Sequence, residues 1–219
     1  MTQNMTPNTH ANNGTNASVP AELCRVGGLG LTQEALDFCG FTSGSRLADI
    51  GCGKGATVRY LRAAGFDAVG LDCDTAAIEQ AGPYCRLGDP SRLPYQAESL
   101  DGLFFECSLS QMQARRSVLA EANRVLKDGG RLVISDIYFR NDRQNGFLLG
   151  RSKWQKIISE AAFTVLFFED KSEGLAEFAA QLFWQHGSAG LKELCGCDME
   201  ELKAGYCGYF LLIAQKGDL

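Results

Sequence analysis

Three glycines and four acidic residues in the first half of the chain carry the clearest chemical signal. In LADIGCGKGATVRYL, residues 47–61, Gly51, Gly53 and Gly55 bare the backbone within five positions, and Asp49 stands two residues before the first of them. A residue without Cβ lets a ligand approach the main chain closely. A nicotinamide dinucleotide, a nucleotide phosphate and a sulfonium cofactor would each be served by such a bend, and Gly51-x-Gly53-x-x-Ala56 also satisfies the dinucleotide fingerprint. Asp72 ends an apolar run further on and can accept hydrogen bonds from both hydroxyls of a ribose, a role common to adenosine cofactors. Asp89, in LGDPSRLPY, can accept from an adenine amino group. Asp49 separates the ligands: a carboxylate inside the turn would repel a pyrophosphate and attract a sulfonium with its ammonium. Glu106, in LFFECSL, is either a functional group at a strand end or a carboxylate bonded to nearby backbone.

These residues need a scaffold that gathers the ends of several strands. From Arg46 onward, short apolar runs alternate with helical patterns, as in an open α/β sheet with crossover helices. The runs predict seven strands, over 46–51, 68–72, 85–89, 100–107, 131–138, 163–170 and 208–216, the first five parallel. Helices are expected near 32–39, 55–64, 75–81, 113–127, 151–162 and 173–194. Lys127-Asp128-Gly129-Gly130 reads as a helix C-terminus, basic in its last turn and then glycine. The polar and aromatic segment 173–205 is too long for a tight hairpin, so it reads as a helical insertion that could cover a substrate. Residues 1–20 read as a disordered tail, which leaves 21–219 as a single domain.

Composition narrows the partners. The 219 residues carry a net charge of -5, which disfavours nucleic acid, and no apolar run is long enough for a membrane span. Nine cysteines, an odd number, suit reduced thiols and a cytoplasmic location better than a disulfide framework. Cys195, Cys197 and Cys207 lack the spacing of a metal clamp, so no metal is expected. Arg140, Arg143, Arg151, Lys153 and Lys156 surround Trp154 in a basic stretch, read as a solvated helix face or an anion contact. Gly27-Gly28-Leu29-Gly30 would let the preceding segment fold across a cofactor, or serve as a flexible entry to the first helix. Phe183 and Trp184 read as core.

Taken together, the motifs resemble those of the class I S-adenosylmethionine-dependent methyltransferases, in the manner of the type 11 methyltransferase domain. Asp49-Ile50-Gly51-Cys52-Gly53-Lys54-Gly55 is similar to that family's acidic glycine motif and Gly70-Leu71-Asp72 to its ribose motif. Gly88-Asp89-Pro90 with Leu93-Pro94 resembles its adenine segment, and 124–130 the helix end before strand five. The likeness covers about residues 30–140. It implies a three-layer, Rossmann-like sheet of seven strands, mostly parallel, with helices on both faces and the last strand antiparallel between the fifth and sixth. It also implies cofactor contacts from Asp49, Gly51, Cys52, Gly53, Gly55, Asp72, Cys73, Asp89, Pro90 and Glu106, with the methyl group near 106–108. The expected activity is methyl transfer from S-adenosylmethionine to a small-molecule acceptor, by a monomer or homodimer. Glu106 and His186 are the first candidates for a catalytic base, then Asp136 and Asp170. An NAD-dependent oxidoreductase and a non-catalytic protein binding the cofactor or a partner are the alternatives.

Overall fold

The computed structural model describes residues 25–142, 148–195 and 198–217, with backbone only at 186 and 189–195. The seven strands are β1 (Arg46–Ile50), β2 (Asp67–Asp72), β3 (Cys85–Leu87), β4 (Leu100–Glu106), β5 (Leu126–Phe139), β6 (Phe163–Asp170) and β7 (Cys207–Lys216). They form one sheet in the order β3-β2-β1-β4-β5-β7-β6. The pairings from β3 to β5 are parallel, and β7 runs antiparallel to both β5 and β6, as the motifs implied. The helices are α1 (Gly28–Cys39), α2 (Ala56–Ala63), α3 (Thr75–Ala81), α4 (Arg115–Val125), α5 (Arg151–Glu160), α6 (Leu175–Cys195) and α7 (Met199–Lys203).

Both faces of the central strands are buried, which is why they read as unbroken apolar runs. Leu47, Phe104, Val133, Leu211 and Ile213 face Ala35 and Leu36 of α1 and Val58 and Leu61 of α2. Their chain neighbours Ala48, Leu103, Phe105, Leu132, Ile134 and Leu212 face the other way, onto Leu119 and Ala122 of α4 and Trp154 and Ile158 of α5. The strand period of two thus divides the apolar residues between two helical layers. A third cluster joins Leu31 of α1 and Phe178 and Leu182 of α6 to Ile137, Phe139 and Tyr209, near the carboxyl end of β5.

The Lys127–Gly130 stop works differently from expectation. Helix α4 already ends at Val125, and Leu126 is extended at φ -73° and ψ 141°. Leu126 pairs with Leu100, but the next paired residue of β5 is Arg131, opposite Gly102, so 127–130 bulge out of the ladder. Gly129, at φ 72°, turns the chain inside that bulge instead of capping the helix. Similarly, β3 stops at Leu87 and leaves Asp89 in a loop.

Candidate active site

From β1 the chain crosses toward β2, and from β4 it crosses toward β5, so their carboxyl ends part at the topological switch point. A cleft of about 530 Å³ opens there. It brings together Gly51, Asp72, Cys73, Asp89 and Pro90 from the expected set, and adds Cys107, Ser108 and the stretch Gln111–Ala114 that follows β4. Cys107 holds a left-handed backbone at φ 56°, an uncommon conformation for a residue with a side chain.

The glycines of the loop have different tasks. A Cβ on Gly51 would lie 2.4 Å from that of Ser108, and φ there is +80°. At Gly55 a Cβ would meet the Ala81 carbonyl oxygen and the Cys85 sulfur, each at 2.8 Å. At Gly53, with φ +50°, it would meet nothing within 4 Å. The first two are therefore demanded by packing against the protein, and only Gly53 faces open space that a ligand can use.

The acidic followers are held in place by backbone. Asp72 accepts from the Gly53 amide at 2.7 Å through one oxygen and from the Asp74 amide at 2.9 Å through the other. Each oxygen keeps a second acceptor direction. Asp89 accepts from the Ser91 hydroxyl at 2.7 Å and the Ser91 amide at 2.8 Å, bonds that hold its carboxyl below the usual range.

Asp49 and Glu106 do not line the cleft, and both are buried. Asp49 Oδ1 has no hydrogen-bond partner. Burial first, and then the charge of Glu106, push the Asp49 carboxyl well above its ordinary range, while Arg25 pulls it down. Glu106 is fully engaged: Oε1 accepts from the Thr32 hydroxyl at 2.8 Å and Oε2 from the Thr57 hydroxyl at 2.5 Å, with Arg25 Nη1 2.9 Å from Oε2. Arg25 reaches this point because Gly27, at φ 71°, turns the chain into α1, and its guanidinium also donates to Thr32, Thr57 and the Gly28 carbonyl. Of the segment before the Gly27–Gly30 stretch, only Arg25 and Val26 are among the described residues. Arg25, Thr32 and Thr57 escaped the sequence reading, since partners 7 to 81 residues apart follow no period.

Of the other expected bases, Asp136 is buried and accepts from the Ser110 and Ile137 amides, each at 2.8 Å. Burial raises its carboxyl to about 6 despite those bonds and the nearby Arg115. Asp170 is tied to the Tyr138 hydroxyl at 2.7 Å, to Arg140 and to Ser172; these bonds outweigh its desolvation and lower it to about 2. His186 lies on α6 just before the kink at Gly187, and its side chain is outside the described residues. Phe183 and Trp184 are not core. Trp184 is 89% exposed, because the inward stripe of α6 is Leu175, Phe178, Ala179 and Leu182, and the next two residues rotate off it.

The thiols also divide. Cys52 is buried and, with Cys85, packs over Gly70, whose added Cβ would meet the two sulfurs at 2.7 and 2.8 Å. The Cys52 thiol donates to the Gly53 carbonyl at 3.8 Å, and the two neighbouring sulfurs shift each other, Cys52 upward and Cys85 downward. Cys73, one of the expected cofactor contacts, is exposed in the cleft. Cys207 is buried in the α6 cluster, while the Cys195 side chain, Cys197 and the 1–20 segment lie outside the described residues.

The model of a methyltransferase domain matches residues 48–134, from β1 into β5, the stretch that carries the glycine turn and the acidic strand ends. Over that stretch the chain is similar to the class I S-adenosylmethionine-dependent methyltransferases. Among curated relatives, Methyltransferase GfsG of Streptomyces halstedii is 30% identical over 122 residues, 50% of this chain and 44% of that one. The chain spans about half the length of the first curated relatives it matches. The phosphoethanolamine N-methyltransferase 2 of Haemonchus contortus, solved with S-adenosyl-L-methionine, has a TM-score of 0.73 at 17% identity, covering 89% of this chain and 54% of that one. The 4+2 cyclase SpnF scores 0.69 at 22% identity, covering 85% and 80%. At those identities the structures establish the fold, and a cyclase among them means that the chemistry must be read from the site. Among the described residues, no helix is long and apolar enough to cross a membrane.

Proposed function

We propose that this methyltransferase moves the methyl group of S-adenosylmethionine to a small-molecule acceptor, with the cofactor seated in the cleft at the carboxyl ends of β1, β2 and β4. The observation that carries the reading is the buried, unpartnered Oδ1 of Asp49 beside a glycine turn. A buried carboxylate oxygen without a donor is costly, and a cationic ligand removes the cost. With Glu106 and Arg25 cancelling each other, the buried charges behind the turn sum to a negative one when Asp49 ionises. Asp72 and Asp89, which both line the cleft, would take the ribose hydroxyls and the adenine amino group respectively, while the open space at Gly53 would admit the methionyl part.

When bound, the sulfonium supplies its own leaving-group drive. The chain then has to align the acceptor and exclude water, which accounts for a site where proximity does most of the catalysis. Glu106 has both oxygens occupied by Thr32, Thr57 and Arg25, and Asp136 and Asp170 are held by amides and hydroxyls. These carboxylates hold the scaffold, so an acceptor that arrives protonated would need another base, for which His186 on α6 is the candidate. The helices between β6 and β7, a helical insertion over about 173–205, form the cover of the acceptor side, in a single domain of the cytoplasm that works as monomer or homodimer.

The test is thermal unfolding with S-adenosylhomocysteine, S-adenosylmethionine and NAD. A ligand at about a hundred times its Kd stabilises by about 2.7 kcal/mol. For this chain length that is a rise of roughly 5–10 °C. Both sulfur nucleosides should give it and NAD should not; the reverse preference ends the proposal. Asp49→Asn should raise the melting temperature of the ligand-free protein, because a neutral amide escapes the penalty of a buried charge, and should abolish the ligand shift.

A further inference from the structure

A second cleft, of about 410 Å³, lies between the first turns of α4 and α5. It shares Gln113 and Ala114 with the cofactor cleft, so one wall serves both. Its other side is cationic: Arg115, Arg116 and Lys153 line it in a protein whose net charge is -5. Lys153 is half-buried and forms no ion pair among the described residues. Arg116 is paired with Glu160 at 2.9 Å, an acid that Lys156 also approaches at 3.8 Å. Arg115 donates to the carbonyls of Leu109 and Ser110, which points its guanidinium along the loop after β4, and Asp136 is the acid behind it.

Helix stability does not account for these cations. Arg115 and Arg116 open α4, and Arg151 and Lys153 sit in the first turn of α5, where the helix dipole disfavours positive charge; neither helix has an acid in its first turn. Residues that work against local stability are expected where function needs them. The arrangement suits a ligand whose own negative charge offsets both the side chains and the dipoles.

We propose that this cleft is an anion subsite of the acceptor pocket, so that the acceptor is a small molecule with a phosphate or carboxylate group, held by Lys153 and Arg116 while its nucleophile lies across the Gln113–Ala114 wall. This rests on the methyl-transfer reading. A neutral apolar acceptor would leave Lys153 without a counter-charge in the closed complex.

Titration with pyrophosphate and, separately, with tricarballylate, each followed by amide NMR, tests it. Expected are saturable shifts at Gln113, Ala114, Ser117 and Lys153 with at least one anion. S-adenosylhomocysteine should shift Gln113 and Ala114 but leave Lys153 in place. Lys153→Gln should weaken the anion about tenfold or more, as loss of a charge-assisted contact does. It should leave the affinity for S-adenosylhomocysteine unchanged. The tighter of the two anions identifies the acceptor's group. No saturation with either anion, shifts mapping elsewhere, or equal affinity in Lys153→Gln would overturn the subsite. Failure of S-adenosylhomocysteine alone would instead overturn the cofactor reading.

Discussion

At the scale of single residues, the glycine turn makes a sharp distinction between packing and binding. Gly51→Ala places a methyl group 2.4 Å from the Ser108 Cβ at a positive φ. The left-handed conformation costs about 1–2 kcal/mol and overpacking about 1–3 kcal/mol, so the variant should lose about 2–5 kcal/mol in urea denaturation. Gly53→Ala meets no atom and should lose only about 1 kcal/mol, yet calorimetry should find S-adenosylhomocysteine binding weakened tenfold or more, since the methyl group occupies the open space. Wild-type affinity in Gly53→Ala would mean that nothing sits against that backbone. Asp136 makes a second case. Its carboxyl is raised to about 6, against about 3.9 in an unfolded chain. The folded state therefore holds a proton that the unfolded state releases. The resulting stability is complete below about pH 4 and is lost as pH rises through about 6, roughly 3 kcal/mol in all. Subtracting the denaturation series of Asp136→Asn from that of the wild type should show this decline; a flat difference would refute it.

Among the elements, the start of α1 is tied to the end of β4 by one buried ion pair. Arg25 and Glu106 are nearly inaccessible, and Arg25→Ala leaves a carboxylate buried beside two hydroxyls. Removing one partner of such a pair costs about 3–5 kcal/mol. Arg25→Ala with Glu106→Gln should recover much of that loss in a double-mutant cycle, whereas strictly additive losses would show that the two side chains act separately. The same network marks where sequence reading stopped. The acids at strand ends were legible because Asp72 and Asp89 follow recognisable apolar runs, and a strand end in a parallel sheet is already an address. The partners of Glu106 were not, because Arg25, Thr32 and Thr57 come from three separate segments and none sits at a motif position. Glycine content misled at 127–130: the residues that end helices also allow a bulge, and only the pairing of Arg131 with Gly102 decides between them. Trp184 misled because an aromatic type was taken as burial, although the α6 stripe had already passed it by.

For the molecule as a whole, the strand order was foreseeable from the motif resemblance, while the charge layout was not. A chain with net charge -5 nevertheless gathers Arg115, Arg116 and Lys153 around one cleft. The layout emerges only when α4 and α5 are set side by side, since Arg116 and Lys153 are far apart in sequence. The sheet order carries a different implication, for synthesis. Strand β7 comes last in sequence but lies between β5 and β6, pairing with nine residues of one and seven of the other. Until the ribosome has translated past Lys216, both neighbours emerge with bare amide edges, and the late-arriving strand must enter a slot between them. Half of this sheet can therefore close only after β7 itself has been translated, and a nascent chain stalled before Cys207 offers two sticky edges to chaperones and to other copies of itself.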